Sequence, residues 1–142
     1  MQFLHKLRAE ITTKVRYAET DQMGVVYHAN YFIWFNIAMD RLLEKIGISI
    51  IENEKQGYMM PIVEASCKYL FPARYGDDLI IRVTPEKSSV ARIIAHYEVI
   101  KSTNKRLLAK GRTVSVLMNG KGKLIIRFPE KYKEIMKKLN MD

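Results

Sequence analysis

One strongly periodic apolar segment limits the folds open to this chain more than any other feature. Large apolar residues recur at intervals of three and four, which places them on one face of a helix: Phe32, Phe35, Met39, Leu42 and Ile46. Asn36, Asp40 and Glu44 fall on another face. Asn30 is a candidate N-cap and Gly47 a candidate C-cap. A helix this apolar on its inner side is expected to be wrapped by other structure.

Alternation of apolar and polar residues predicts one strand before this helix and at least four after it. The first strand ends at Tyr17, its last inward aromatic residue, and a loop punctuated by Gly24 follows over residues 18–27. The later runs cover residues 63–71, 79–83, 91–99, 107–118 and 124–128. Pro85 closes the second of these runs, and Pro129 begins a short C-terminal amphipathic helix. Consecutive strands with short connections indicate an antiparallel sheet, and therefore an α+β fold.

Size and composition favour one compact domain over residues 1–142, since 48% of the chain is hydrophobic. No apolar run approaches the ~20 residues of a membrane span, and the N-terminus does not resemble a secretory signal. The single cysteine, Cys67, excludes an intramolecular disulfide and is expected to be a buried small hydrophobe. His5, His28 and His96 lack the spacing of metal ligands, so no metal is predicted. The sequence has no glycine-rich phosphate loop, so no bound cofactor is predicted either. With a single cysteine and no secretory signal, a cytoplasmic location fits best.

The formal net charge of +9, with a pI near 9.7, has two interpretations. It indicates either an anionic ligand, such as a nucleotide, a coenzyme or a nucleic acid, or a solvated lysine-rich surface. The basic residues are spread along the chain, with local concentrations at residues 101–112 and 121–127.

The segment Tyr17–Tyr31 (YAETDQMGVVYHANY) joins the first strand to the helix and carries the residues best suited to chemistry. A carboxylate, Asp21, precedes the Gly24 turn, and His28 stands where the helix begins. Free N–H groups at a helix start can hold a developing oxyanion, and a carboxylate can attack or activate water, a combination suited to acyl transfer. The alternatives are structural. Asp21 commonly forms an Asx-turn in such a setting, and a histidine at a helix start often has no role.

These residues resemble the signature of the hotdog-fold acyl-CoA thioesterases, in the branch typified by 4-hydroxybenzoyl-CoA thioesterase. The matching positions are Tyr17, Thr20, Asp21, Gly24, Val26, Tyr27, His28, Asn30, Tyr31 and Phe35. A second segment, Tyr69–Asp77 (YLFPARYGD), is similar to the strand and turn that follow the central helix in that family. The resemblance covers nearly the whole chain and implies a curved antiparallel sheet wrapped around one long central helix. The chain departs from it at Asn36, where many members carry glutamate, and at Ala38–Met39, where many carry a small residue and arginine.

The resemblance implies catalytic roles for Asp21 and His28. Asp21 is then either a nucleophile that forms a mixed anhydride or a general base that activates water. The His28 backbone N–H is then positioned to bind the thioester carbonyl, aided by the helix dipole.

The resemblance also implies substrate contacts, each with a structural alternative. Tyr17 either donates a hydrogen bond near the Asp21 carboxylate or is a core aromatic residue. Asn30 is either the N-cap of the helix or a contact to the substrate. Tyr27 and Tyr31 either line the acyl pocket or only pack. A polar and basic turn is expected either to touch the nucleotide phosphates of coenzyme A or to be solvated: Lys87, Ser88, Ser89 and Arg92.

The implied function is that of a cytoplasmic acyl-CoA thioesterase that releases free acid and coenzyme A. The implied partners are an acyl-CoA substrate and further copies of the chain, as a dimer or a dimer of dimers with sites at the subunit interface. Neither a nucleic acid nor a membrane is expected as a partner. The rival hypotheses are a hotdog domain that binds acyl-CoA without cleaving it, a hotdog dehydratase, and a nucleic-acid binder suggested only by the charge.

Overall fold

A computed structural model of the chain describes residues 7–88, 90–130, 132, 134 and 135. The strands are β1 (Ala9–Lys14), β2 (Ile62–Tyr69), β3 (Asp78–Glu86), β4 (Arg92–Lys101), β5 (Leu107–Met118) and β6 (Leu124–Ile125). The helices are α1 (Asn30–Ile46) and α2 (Ile50–Lys55), and a single 3-10 turn covers Tyr17–Glu19.

The strands form one sheet in the order β1-β3-β4-β5-β2, and β6 pairs with β5 outside this path. Each of these neighbouring pairs is antiparallel. Strands β1 and β2 therefore lie at the two edges of the main sheet. The expected α+β fold, an antiparallel sheet packed against one long helix, is confirmed.

Helix α1 and the inner face of the sheet make the hydrophobic core. The large side chains that are almost fully enclosed include Trp34, Phe35 and Leu42 from α1, with Leu79, Ile81, Val83, Tyr97 and Val99 from β3 and β4. The Phe35 ring stacks on the Tyr97 ring at 4.4 Å between centroids. A Cβ atom added to Gly111 would lie 2.3 Å from Cε2 of Phe35, so the helix can approach β5 only because residue 111 has no side chain.

Two expectations about the entry to α1 are wrong. Strand β1 ends at Lys14, and Tyr17 lies in the 3-10 turn with 76% of its surface exposed, so it is not an inward strand residue. Ala29, not Asn30, is the N-cap of α1; Asn30 is the first helical residue, and its side-chain amide donates to the Glu19 carbonyl at 2.8 Å. The predicted C-cap is confirmed, because Gly47 adopts a left-handed conformation with φ 87°.

The strand boundaries also differ from the sequence pattern. Strand β2 ends at Tyr69 and is exposed along most of its length, because it is a sheet edge, and Cys67 is only half-buried. Strand β3 continues through Pro85, which lies beyond the part of β3 that pairs with β1, so its missing N–H interrupts no ladder there. Strand β6 is shorter than the run at 124–128 suggested.

Two helices outside α1 complete the comparison with the sequence pattern. The six-residue helix α2 was not predicted. In the predicted C-terminal helix, residues 130, 132, 134 and 135 are helical, whereas Met136 and Leu139 lie outside the described residues. Within the described residues, none of the helices, α1 included, is long and apolar enough to cross a lipid bilayer.

We predict that Gly111→Ala lowers the free energy of unfolding by about 1–3 kcal/mol, because the new methyl group collides with the Phe35 ring. Urea unfolding of wild type, both single variants and the Gly111→Ala/Phe35→Leu double variant measures the effect. The smaller leucine side chain is expected to relieve the collision, so the double variant loses less stability than the sum of the singles. Simple additivity of the two losses would contradict this account.

Candidate active site

The two segments that carry the family resemblance meet in the structure. The Val26 N–H donates to the Ala73 carbonyl at 2.8 Å, and the Val15 N–H donates to the Asp77 carbonyl at 2.9 Å. The Gly76 N–H donates back to the Val15 carbonyl at 3.0 Å. The turn after β2 therefore supports the loop that contains Asp21, although more than forty residues separate them in the sequence.

Asp21 lies at the head of a tight turn. Its N–H donates to the Val25 carbonyl at 2.9 Å, and its carbonyl accepts from the Gly24 N–H at 3.0 Å, where Gly24 takes a φ of 77°. In the carboxylate, Oδ1 accepts from the Met23 N–H at 2.8 Å, which forms the Asx-turn. Within the described residues Oδ2 accepts no hydrogen bond, so one carboxylate oxygen of a half-exposed side chain is available to a ligand.

The start of α1 presents free backbone donors. Among the described residues, neither the His28 N–H nor the Ala29 N–H donates a hydrogen bond. No acidic residue stands in the first helical turn, so nothing in that turn offsets the positive end of the helix dipole. Hydrogen bonds from the Tyr27 N–H and the Asn30 amide to the Glu19 carbonyl hold this end of the helix beside the Asp21 turn. The arrangement can accept a developing negative charge on oxygen.

Tyr69, the last residue of β2, fixes the orientation of the helix start. Its hydroxyl donates to the His28 carbonyl at 2.8 Å. In a trans peptide the carbonyl and the following N–H point in opposite directions, so this bond also sets the direction of the Ala29 N–H. Burial, followed by the neighbouring Cys67, raises the pKa of Tyr69 to about 12, so the hydroxyl keeps its proton and remains a donor at neutral pH.

Glu19 is the buried carboxylate of the site, with 7% of its surface exposed. Oε2 accepts from Trp34 Nε1 at 2.8 Å, and Oε1 accepts from the Arg16 N–H at 2.8 Å. Arg16 Nε lies 3.3 Å from Oε1. Burial alone raises the pKa of Glu19, but the hydrogen bonds from Arg16 and Trp34 outweigh it and hold the pKa below its ordinary value of 4.5. Glu19 is therefore ionised at neutral pH and ties the end of β1 to α1.

The aromatic residues expected at the site have different surroundings. Tyr27 and His28 are exposed neighbours, with ring centroids 4.5 Å apart, and the Tyr69 ring lies 6.5 Å from His28. Tyr31 is buried and meets Tyr69 edge to face at 5.0 Å, so it supports the site from within. Tyr17 is exposed and packs edge to face on Tyr75 at 5.7 Å.

The polar and basic turn is not beside Asp21 in a single chain. It connects β3 to β4, whereas the Asp21 loop contacts the turn that precedes β3, at the opposite end of a strand about 30 Å long. Within the turn, Arg92 Nε donates to Ser88 Oγ at 3.2 Å, and Lys87 is exposed. Ser89 lies outside the described residues.

Sequence reasoning missed Glu19 and the contact made by Tyr69. Glu19 stands three residues after Arg16, a spacing that signals an ion pair on one turn, but no pattern indicates that it is buried against Trp34. In the sequence, Tyr69 stands out only as part of the segment Tyr69–Asp77. Its bond to His28 joins residues 41 positions apart, so only the packing of β2 against α1 reveals it.

We predict that Glu19→Gln lowers the free energy of unfolding by about 1–3 kcal/mol at pH 7, because charge-assisted bonds to Arg16 and Trp34 are lost. Since the native pKa is lowered, the contribution of Glu19 is present above the unfolded value near 4.5 and disappears as pH falls through the native pKa. Urea unfolding at pH 7 and in acid should show the two proteins converging. Glu44→Gln, at an exposed pair with Arg41, is the control with little effect. An equal difference at both pH values would contradict the prediction.

Comparison with known proteins agrees with the fold. Residues 15–139 match the family described as the thioesterase-like superfamily. YneP of Bacillus subtilis (strain 168), provisionally named an acyl-CoA thioesterase, is 34% identical over 96 residues, 68% of each chain. The acyl-acyl carrier protein thioesterase ATL3 of Arabidopsis thaliana is 31% identical over 112 residues, 79% of this chain and 59% of ATL3. The crystal structure of DHNA-CoA thioesterase from Staphylococcus aureus superposes with a TM-score of 0.86 at 29% identity, over 94% of this chain and 91% of that one. The chain therefore belongs to the thioesterase-like superfamily and has a hotdog fold.

Proposed function

We propose that the chain hydrolyses acyl-coenzyme A thioesters to a free acid and coenzyme A at the Asp21 turn and the start of α1. The observation that carries the proposal concerns the described residues, among which Oδ2 of Asp21 and the N–H groups of His28 and Ala29 at the nearby helix start have no hydrogen-bond partner. A carboxylate and a set of backbone donors are the two parts that thioester cleavage requires.

In the proposed reaction the thioester carbonyl oxygen binds the free N–H groups at the start of α1. The negative charge that develops on this oxygen is stabilised by these donors and by the helix dipole. The Tyr69 hydroxyl, through the His28 carbonyl, keeps the donors aimed at one point. Preorganised donors need no rearrangement when the charge appears, and removing one such donor in other enzymes slows them ~10²–10³-fold.

Asp21 supplies the attack in one of two ways. As a nucleophile, its oxygen bonds to the carbonyl carbon, the C–S bond breaks and coenzyme A leaves as the thiolate. Water then hydrolyses the resulting mixed anhydride and restores the carboxylate. As a general base, Asp21 takes a proton from a water molecule that attacks the same carbon, and the proton passes to the departing sulfur. Both routes need the carboxylate to be ionised and within reach of the carbonyl carbon.

We predict that Asp21→Asn reduces kcat/KM at least ~100-fold, because an amide neither attacks the thioester nor takes a proton from water. The asparagine side-chain oxygen can still accept from the Met23 N–H, so the Asx-turn and the fold should persist. Thiol release from short-chain, long-chain and aromatic acyl-CoAs measures activity, and circular dichroism checks the fold. Asp78→Asn, at an exposed pair with Lys14, is the matched control with unchanged activity. An Asp21→Asn variant that retains most of its activity would contradict the mechanism.

One observation favours a second candidate function, a domain that binds acyl-CoA without cleaving it. Oδ1 of Asp21 already accepts a hydrogen bond from the Met23 N–H. In this Asx-turn the aspartate stabilises the loop and needs no catalytic role. Ligand binding by calorimetry without any release of thiol would support this alternative. Release of thiol only from an acyl carrier protein thioester would instead assign the chain to another carrier.

We further infer that the working unit pairs two copies of the chain through β2. Both faces of this edge strand are exposed, including the apolar side chains of Val63 and Tyr69. An edge strand with unpaired N–H and C=O groups and apolar side chains is a template for another strand. A two-fold axis here would join two sheets into one, with the two β2 strands antiparallel.

This pairing would also bring the polar and basic turn to the site. The turn lies at the same end of the sheet as Ile62, since Ile62 pairs with Ser115 and Ser115 pairs with Ile93. Antiparallel pairing of two β2 strands sets the Ile62 end of one copy against the Tyr69 end of the other. The turn from the second copy would then lie about three strand spacings, ~15 Å, from the first copy's site. Lys87, Ser88, Ser89 and Arg92 are thus proposed as contacts to the nucleotide made across the interface.

We predict that the chain is a dimer or a larger even-numbered assembly in solution, and that Ala65→Lys on β2 shifts it towards a monomer. Two added charges near the two-fold axis repel each other. Light scattering after size-exclusion chromatography measures the mass. Thr12→Lys, on the opposite edge strand β1, is the matched control and should leave the assembly intact. If Thr12→Lys dissociated the assembly and Ala65→Lys did not, the interface would lie on β1 and the proposed pairing through β2 would be wrong.

A further inference from the structure

A cavity of about 300 Å³ lies beside the C-terminal half of α1, away from Asp21. Its apolar lining comes from α1, from α2 and from the segment before β2: Met39, Leu43, Ile50, Met59, Met60, Pro61 and Ile62. The volume is at the lower end of the range for small-molecule sites. The proposed hydrolysis at the Asp21 turn makes no direct use of this cavity.

Several polar residues also line the cavity: Asn36, Asp40, Asn53, Glu54, Tyr58 and Ser115. Asn53 is buried, its side-chain oxygen accepts from the Tyr132 hydroxyl, and its amide lies 3.7 Å from the Met60 sulfur. Asp40 and Glu54 are exposed at the rim. Three methionines supply flexible, unbranched side chains that can adapt to an apolar occupant. The chemistry of the lining therefore favours a hydrocarbon.

Strand β2 spans the distance from this cavity to the site. Strand β2 runs alongside α1 in the opposite direction, because Tyr69 at its end bonds His28, and Ile62 at its start shares the cavity with Met39. Between these points the inward residues of β2 are the small Ala65 and Cys67, which lie opposite the core-facing Thr113 and Gly111. Between Ile62 and Tyr69, therefore, the side chains that β2 turns towards α1 at these two positions are small.

The helix gives the distance from the site to this cavity. Asn36, the first residue of α1 that lines the cavity, is six residues after Asn30, which corresponds to about 9 Å along the axis. Leu43 lies about 20 Å along it. An extended acyl chain gains roughly 1.3 Å per carbon, so about seven carbons reach the cavity from a carbonyl at the helix start. An aromatic acyl group, which ends within about 5 Å of its carbonyl carbon, does not reach it.

We propose that this cavity is the acyl-chain pocket of the site and selects straight aliphatic thioesters of about ten to fourteen carbons. The inference rests on the proposed function, since it assumes that the thioester carbonyl binds at the start of α1. Each methylene that enters the cavity is expected to improve binding by about fourfold until the cavity is full.

Two neighbouring isoleucines provide the test. Ile50 lines the cavity and is 40% exposed, whereas Ile51 lines only the open depression next to it and is 68% exposed. Ile50→Trp should fill the cavity, and Ile51→Trp is the matched control. Met59→Trp, at another partly exposed lining position, repeats the test from the opposite wall if Ile50→Trp does not fold.

The measurement is kcat/KM for hexanoyl-, decanoyl-, tetradecanoyl- and benzoyl-CoA. Wild type should prefer decanoyl- and tetradecanoyl-CoA over hexanoyl- and benzoyl-CoA. Ile50→Trp should lower the value for tetradecanoyl-CoA at least ~10-fold while hexanoyl-CoA changes less than about twofold. Ile51→Trp should leave kcat/KM nearly unchanged for all four substrates. An equal loss on every substrate, or a wild-type preference for benzoyl-CoA, would overturn the proposal.

A binding measurement separates this inference from the proposed function. Calorimetry with the non-cleavable thioethers S-hexyl-CoA and S-tetradecyl-CoA reports the pocket even if no thioester is hydrolysed. Tighter binding of the tetradecyl compound, lost in Ile50→Trp and kept in Ile51→Trp, supports the pocket. Equal binding of both compounds by wild type would overturn it, whatever the outcome for catalysis.

Discussion

The geometry of the site depends on the hydrogen bonds that the buried carboxylate of Glu19 accepts. A carboxylate taken out of water is tolerated only where charged and polar donors surround it. Its donors come from two places, Arg16 after β1 and Trp34 within α1, and its own backbone carbonyl accepts from Tyr27 and Asn30. These bonds can form together only in one placement of the helix relative to the strand. The distance from the Asp21 turn to the helix start is therefore set by Glu19.

Strand β2 links three properties of the molecule. Its last residue, Tyr69, holds the His28 carbonyl and so orients the backbone at the helix start. Its first residue, Ile62, lines the methionine-rich cavity, and its small residues Ala65 and Cys67 lie between that cavity and Tyr69. Its outer edge pairs with no other strand in the described part of the chain, which offers a surface to a second copy. In our proposals the acyl group, the coenzyme and the partner subunit all meet at this strand.

The elements that the sequence predicted well are those with a long regular pattern. Helix α1 and the alternating strands follow from periodicity, because burial on one side demands it over many residues. The errors occurred where a distant partner outweighs the local preference. Asn30 is a good N-cap by residue type, but its amide is used by the Glu19 carbonyl. Tyr17 continues the strand alternation, but the chain turns there around the buried carboxylate. Helix α2 has six residues, too few to show a period.

The sequence by itself determined the class of fold and the segment that contains Asp21 and His28, because periodicity and a long motif are local properties of the chain. Only the tertiary structure decided that Glu19 is buried, that Tyr69 reaches His28, and that a cavity lies beyond Asn36. Each of these depends on which residues from distant parts of the chain are brought within contact distance. A sequence pattern shows which side chains share a face, whereas hydrogen-bond partners and empty volumes arise only when the faces are packed together.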